Sequence, residues 1–377
     1  MLEKRLLKRV DWLLVGAALM LQLFGLLAIA TATGASPGAA GSFGHVQRQA
    51  MAMLVGWIAL YVAASFAYTE LRRFSQHIFI LNVALMAATL WAGSDGQGAQ
   101  RWLELGPVTF QPSELGKVFV IITLAYHVSL YEGKFSSWFQ LVLTGIHVSI
   151  PLILIGLQPD LGTAMVLGAI WLGVVLVGGQ PPGRLALLVL LGVAVVAGAL
   201  FVHLEYDVPL PLQDYQINRL VVFINPDLDP TGAGYHLRQS IIAVGSGRVV
   251  GQGLFSGQLK ELQYLPEQHT DFIFAVVGEE MGFRGTAILL GLFMVFIWRA
   301  LLVITSARDL FGALLAAGIV SMFAFHIVVN VGMTVGLMPI TGLPLPFISY
   351  GGSSLIANCI AVGLLVNIGM RRHKIMF

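Results

Sequence analysis

Charge is scarce in this chain. Asp, Glu, Lys and Arg make up only 11% of its 377 residues, against about 25% in ordinary soluble domains, and the formal net charge is only +2. That balance gives no sign of a nucleic-acid partner, because the basic residues fall in short clusters between apolar runs, as topology determinants do. Cysteine is nearly absent too. Cys359 stands alone inside an apolar run, which excludes an intrachain disulfide and any cysteine-rich metal site. The nine histidines are scattered without an HExxH-like spacing, so His127, His147 and His326 read as hydrogen-bonded core residues rather than metal ligands.

What remains is apolar: 57% of the residues are hydrophobic and the mean hydropathy is +0.84. Such a composition predicts an all-α polytopic membrane protein. Apolar runs close to the roughly 20 residues that cross a bilayer fall at 11–32, 46–67, 74–92, 114–131, 138–157, 160–178, 184–203, 271–305, 309–337 and 350–370. Ten transmembrane helices are therefore expected, in a single integral membrane domain over residues 1–377. The first run, Trp12 to Ala30, is longer than the ~7–15 residues of a signal-peptide core and reads as a retained helix. The eighth is interrupted by GEEMG at 278–282 and is expected to break there.

Lys4, Arg5, Lys8 and Arg9 precede the first helix, and Arg72, Arg73, Lys134, Arg184, Arg299, Arg308, Arg371, Arg372 and Lys374 fall at alternate helix ends. By the positive-inside rule both termini are cytoplasmic. The longest loop, about 204–270 between helices 7 and 8, is then extracytoplasmic, and its apolar, aromatic and Gly-rich patches predict partial order. Every even-numbered helix presents its N-terminal end to the outside, and those ends share a style. They are Gln111-Pro112-Ser113-Glu114, Gln158-Pro159-Asp160, His269-Thr270-Asp271 and Pro346-Phe347-Ile348-Ser349-Tyr350-Gly351-Gly352. Proline followed by Ser or Asp is a helix-start signal, and the unpaired N–H groups and dipole of such ends favour anions. Four of them could converge on one outward-facing anionic ligand, or each could be an ordinary capped terminus.

The stretch 266–285 carries the strongest case for chemistry. Glu267, His269 and Asp271 cluster where a polar loop enters the membrane, and partial desolvation there raises a carboxylate pKa toward that of a general base. Asp271 read only as a helix cap is the plainer alternative. Glu114 and Lys117, three apart on one helix face, are either a self-contained ion pair or a phosphate-binding lysine with its positioning carboxylate. Asp160 taken alone is a cap. Arg48 and Arg101 face outside against the topology bias, which makes them candidates for binding an anion. Gly245-Ser246-Gly247 with Gly251 and Gly253 resembles a dinucleotide loop only loosely. It lacks the preceding strand and βαβ context, and tight turns explain it better.

The segments GAQRWLELGPVTFQPSELGKV, QPDLGTAMV, NPDLDPTGAGYHLRQSIIAVGSG, LPEQHTDFIFAVVGEEMG and LPLPFISYGGSS closely resemble the SEDS family of bacterial cell-wall polymerases. They occur in that family's order and span nearly the whole chain. GAGYH with QS, and QPDLG, are more similar to the elongation branch, RodA, than to the division branch, FtsW. The resemblance implies a ten-helix peptidoglycan glycosyltransferase of the bacterial inner membrane that polymerises lipid II beside a class B penicillin-binding protein, a transpeptidase. It implies that Asp271 is catalytic and that Arg101, Glu114 and Lys117 line an outward cavity, with Asp160 at a functionally sensitive position. Arg48 and His269 join them as candidate substrate-binding residues. It implies a divalent cation, Mg or Mn, for which the sequence shows no ligand set. The competing reading from another class is a flippase or transporter of a lipid-linked precursor, whose polar site would lie near the midplane; the charges here gather near the outer helix ends.

Overall fold

A computed structural model describes residues 8–34, 43–96, 99–105, 108–131, 134–206, 208–210, 213–257 and 268–372. Ten long helices occupy the ten apolar runs: α1 Trp12–Ala32, α2 Gly44–Ser65, α3 Leu71–Ala92, α4 Pro112–Ser129, α5 Trp138–Leu157, α6 Leu161–Gly178, α7 Pro182–Tyr206, α10 Ile273–Ser306, α11 Leu310–Thr334 and α12 Gly352–Met370. Nine of these are long and apolar enough to cross a membrane, among the described residues. The exception, α4, carries Glu114, Lys117 and His127. It tolerates them because it runs through the interior, packed against α3, α5, α6 and α11, where polar groups meet partners instead of lipid.

The helices are apolar on all sides, as lipid on one face and protein on the other require. Inside, α11 and α12 are mostly buried, whereas α7 stands at the periphery with little of its surface covered. Close backbone approach sets the α2–α12 contact: a Cβ on Gly363 would stand 2.5 Å from the Leu60 carbonyl oxygen. Small residues at such crossings gain van der Waals contact that lipid cannot replace. Buried polar links add specificity. Trp57 Nε1 donates to Gln22 Oε1 at 2.9 Å, and Gln22 Nε2 lies 3.4 Å from Cys359 Sγ, joining α1, α2 and α12. At the opposite end of α1, Asp11 caps the helix through Leu14 N at 3.1 Å and pairs with Arg299 of α10 at 2.6 Å.

Two features depart from a bundle of uninterrupted spans. A three-stranded antiparallel sheet, β1 Ser94–Gly96, β2 Ala99–Leu105 and β3 Val108–Phe110, joins α3 to α4. The Gly106-Pro107 pair was its sequence signal. The long segment after α7 also carries structure: α8 Asp214–Ile224, a short 3-10 turn at Pro226–Leu228, and α9 Ala233–Ser246. Asp229 ties these together. Its carboxylate accepts from Asn218 Nδ2 of α8 at 2.7 Å and from the Gly232 and Ala233 N–H groups at 2.8 Å. Those bonds, the Asn218 one foremost, hold its carboxyl below the usual range.

The expected break in the eighth span is present. Gly282 adopts φ 62°, ψ −161° inside α10, which releases backbone groups that lipid could not satisfy. The segment after α9 takes them up: Gln252 N and Gly253 N donate to the Glu279 and Glu280 carbonyls, both at 3.0 Å, while Phe283 N and Arg284 N donate to the Arg248 and Val249 carbonyls at 2.8 and 3.1 Å. Glycine is needed for this contact. A Cβ on Gly251, whose φ is +88°, would fall 2.1 Å from the Glu280 oxygen, so the glycine cluster serves close approach and turning. Gly251→Ala is expected to cost about 1–3 kcal/mol from the left-handed backbone alone, with the clash added. Gly245→Ala, where the same atom meets nothing within 4 Å, should leave the unfolding midpoint in detergent nearly unchanged. Equal midpoints for the two variants would contradict this account of the kink.

Candidate active site

The segment between α11 and α12, Val335–Gly351, is not helical, yet Leu343, Leu345, Phe347 and Ile348 in it are buried. Irregular backbone at membrane depth persists only when protein satisfies its polar groups, and here α11, α2 and the segment before α10 do so. From α11, Asn330 Nδ2 donates to Leu343 O at 2.7 Å and the His326 ring bonds Pro344 O at 3.1 Å. Gln49 of α2 accepts from Gly351 N at 3.1 Å and donates to Ser349 O at 3.3 Å. Ser349 Oγ donates to Thr270 O, and Tyr350 N to His269 O at 2.9 Å, just before α10. At the start of α6, a Cβ on Gly162 would stand 2.9 Å from Thr341 O. Finally Ser353 Oγ, in the first turn of α12, accepts from Gln111 N at 3.2 Å, at the start of α4. The N-terminal ends of α4, α6, α10 and α12 therefore do meet, around this segment.

Asp271 lies half-buried at that junction. Its backbone carbonyl accepts from Asn330 Nδ2 at 2.9 Å, the same amide that holds Leu343. The following residue, Phe272, is buried with Val222 of α8, Leu237 and Ala243 of α9, and Ile340. Backbone and neighbour are thus both anchored, and the carboxylate faces the hub: a Cβ on Gly342 would be 3.4 Å from Asp271 Oδ2 and 3.5 Å from Arg219 Nη1 of α8. Gly342 has φ +73°, a conformation that glycine adopts without penalty. His269 stands beside this carboxylate in sequence, its ring 5.1 Å from His45 of α2 and 5.5 Å from Tyr350. Glu267 lies outside the described residues.

The other predicted residues divide. Glu114 and Lys117 form an ion pair, one of the two arrangements the sequence left open, with Lys117 Nζ 2.8 Å from Glu114 Oε1, and both are almost fully buried. Lys117 Nζ also lies 3.2 Å from His326 Nε2. An ammonium has only donors, so His326 accepts at Nε2 and carries its proton at Nδ1, aimed at Pro344 O. The core histidine read from sequence thereby becomes the link between the ion pair and the hub. Asp160 is the N-cap of α6, accepting from Thr163 N at 3.0 Å and Thr163 Oγ1 at 2.9 Å. Arg101 reaches from β2 to the carbonyls that end α5, with Nε donating to Gln158 O at 3.0 Å and Nη2 to Pro159 O. That is a favourable place for a cation. Tyr215 of α8 shares the Pro159 carbonyl. Arg48 is exposed, one position before the Gln49 that binds the hub.

Sequence reasoning placed the centre at 266–285. The structure centres the junction on Val335–Gly351, and adds Asn330, His326 and Arg219. The signal for the hub was present as a buried-looking stretch broken by Gly336, Pro339, Gly342, Pro344 and Pro346. For Arg219 and Asn330 no local signal existed, since each lies more than 50 residues from Asp271 in the chain. Among the described residues no group of three His, Cys, Asp or Glu side chains could hold a metal ion.

Comparison with known proteins follows the same outline. The family profile FTSW_RODA_SPOVE, "Cell cycle protein", matches residues 11–374. The chain is 35% identical over 335 residues to the peptidoglycan glycosyltransferase MrdB of Escherichia coli K12, covering 88% of this chain and 87% of that protein. It is 36% identical over 363 residues to the stage V sporulation protein E of Bacillus subtilis, covering 95% and 96%. Among solved structures it resembles a chain of a peptidoglycan synthase complex that coordinates polymerization and crosslinking, with TM-score 0.79, 28% identity and 97% and 99% of the two chains covered. The rod shape determining protein RodA of Thermus thermophilus gives TM-score 0.70 at 27% identity, with 97% and 98% covered.

Proposed function

Since the chain belongs to the FtsW, RodA and SpoVE family of cell-cycle proteins, we infer that it is a peptidoglycan glycosyltransferase of the bacterial inner membrane, polymerising lipid II during elongation with Asp271 as general base. The observation that carries this reading is the placement of the Asp271 carboxylate where four helix N-termini meet. The donor sugar is joined through its anomeric carbon to a polyprenyl pyrophosphate. A hydroxyl of the acceptor disaccharide attacks that carbon, passes its proton to Asp271, and the pyrophosphate leaves with inversion. Negative charge grows on the leaving group, and helix N-termini with basic side chains stabilise it. Lys117, with a third N–H beyond those aimed at Glu114 and His326, Arg101 through Nη1, and Arg48 are the groups we assign to it.

The polyprenyl tails remain in the bilayer while the head groups meet at the junction, which is why this chemistry belongs on a polytopic protein. The basic residues at alternate helix ends put both termini in the cytoplasm and the α8–α9 segment outside. A class B penicillin-binding protein is the partner we assign for crosslinking, and the elongation role rests on the GAGYH and QPDLG motifs. The residues 1–377 act as one membrane domain. A divalent cation, in this reading, arrives with the substrate pyrophosphate; no step above is routed through it.

Reconstituted protein with its penicillin-binding partner, given purified lipid II and Mg, is expected to yield glycan polymer on a gel. No polymer, together with movement of lipid II between leaflets in a flipping assay, would replace this reading with that of a transporter.

A further inference from the structure

Arg219 has no part in the reading above, and its position gives it one. It sits on α8, in the segment that the sequence marks only as a long loop, yet its Nη1 and the Asp271 Oδ2 atom lie 3.5 and 3.4 Å from one point, the place a Cβ on Gly342 would occupy. One contact within α8 and two from it to neighbouring segments hold the arginine in this position. The Arg219 guanidinium lies over the Tyr215 ring at 5.4 Å, the Tyr215 hydroxyl donates to the Pro159 carbonyl ahead of α6, and the neighbouring Asn218 donates to Asp229, which caps α9. Val222, one turn further along α8, is buried with Phe272. An arginine presented this way is fixed in place before any substrate arrives.

We propose that Arg219 is the positioning residue for the Asp271 carboxylate, keeping it ionised and turning Oδ2 toward α8 so that Oδ1 meets the acceptor hydroxyl. The proposal rests on Asp271 acting as the base. An opposite charge beside a carboxylate favours its charged form, and only the charged form can take a proton. Arginine suits the task because it is always charged. Gly342 belongs to the device, since any side chain there would stand between the two groups.

Among the described residues, the titratable groups in the elements that meet at this junction include His269 in the same segment as Asp271, His45 on α2 and Tyr350 in the hub, whose rings cluster together. Arg101 and Asp160 are bonded to carbonyls and to Thr163, and Glu279 and Glu280 lie two turns further along α10. α11 contributes the uncharged Asn330. Among the described residues Arg219 is the cation that flanks the Gly342 position opposite this carboxylate.

The test is the pH dependence of turnover and KM for lipid II polymerisation in the intact complex, in wild type, Arg219→Gln and Arg219→Lys. In the Gln variant, turnover near neutrality is expected to fall at least about tenfold with KM unchanged, and the acid limb to move up by about one pH unit or more, the shift expected on losing an adjacent cation. The Lys variant should recover most of both. A loss of turnover with the acid limb unmoved, and equally large in the Lys variant, would make Arg219 structural. A rise in KM alone would make it a substrate ligand, and wild-type behaviour in both variants would remove its role. Asp271→Asn run alongside separates the two ideas: activity in that variant overturns the base itself, whereas an inactive Asp271→Asn with an unaffected Arg219→Gln overturns only the positioning role.

Discussion

Replacing Asp271 by Asn is expected to slow glycosidic bond formation by about 10²- to 10⁴-fold, the contribution of a positioned general base, while the protein stays folded and still binds lipid II. The separation is possible because the fold holds this residue through its backbone. The Asp271 carbonyl accepts from Asn330 and Phe272 anchors the next position in the α8–α9 cluster, and both contacts survive the change. Asparagine also keeps the size of aspartate and much of its capping ability. What it loses is the capacity to accept a proton from a sugar hydroxyl. The unfolding midpoint in detergent should therefore move little, and lipid II binding should stay within a few-fold of wild type. A variant that unfolds would show that the side chain is structural.

Lys117→Met carries the second large effect, and it should act on stability and turnover together. Removing the ammonium leaves Glu114 buried with no cation, and Glu114 Oε2 already lacks a hydrogen-bond partner. Breaking a buried pair from one side costs about 3–5 kcal/mol. His326 Nε2 loses its donor as well, so the strain passes to the Pro344 contact in the hub. Adding Glu114→Gln to Lys117→Met removes the stranded charge, and should restore most of the lost stability. Turnover should remain low in the double variant, since no neutral pair can stabilise a departing pyrophosphate. Restored stability with restored turnover would reduce the pair to a structural element.

These two residues also mark what could be read from the chain beforehand. The ten helices were legible because bilayer thickness imposes a length and a composition on each segment, and the break in α10 was legible because GEEMG cannot sit unbroken against lipid. Asp271 and the Glu114–Lys117 pair were legible because charge at membrane depth demands a partner or a purpose. Long-range arrangement was not. Nothing in the local sequence links Lys117 to His326, or Asp271 to Arg219, and both relations depend on how the Val335–Gly351 segment threads between helices. Asp160 shows the converse: the cap its position suggested is present, through Thr163. Arg101 bonds the carbonyls ending α5 from 57 residues away, a contact that no local pattern announces. The sheet after α3 went unread because three short strands among long apolar runs leave only a faint alternation.

The most direct measurement is the single-turnover rate of the first glycosidic bond, followed from pH 5 to pH 9 in proteoliposomes holding the complex and saturating lipid II, for wild type and Asp271→Asn. The account predicts that the wild-type rate climbs through one acid limb to a plateau, and that the Asn variant, folded and bound to substrate, lies at least about 10²-fold below it with that limb gone. Superimposable profiles for the two proteins would contradict the assignment of the base to Asp271.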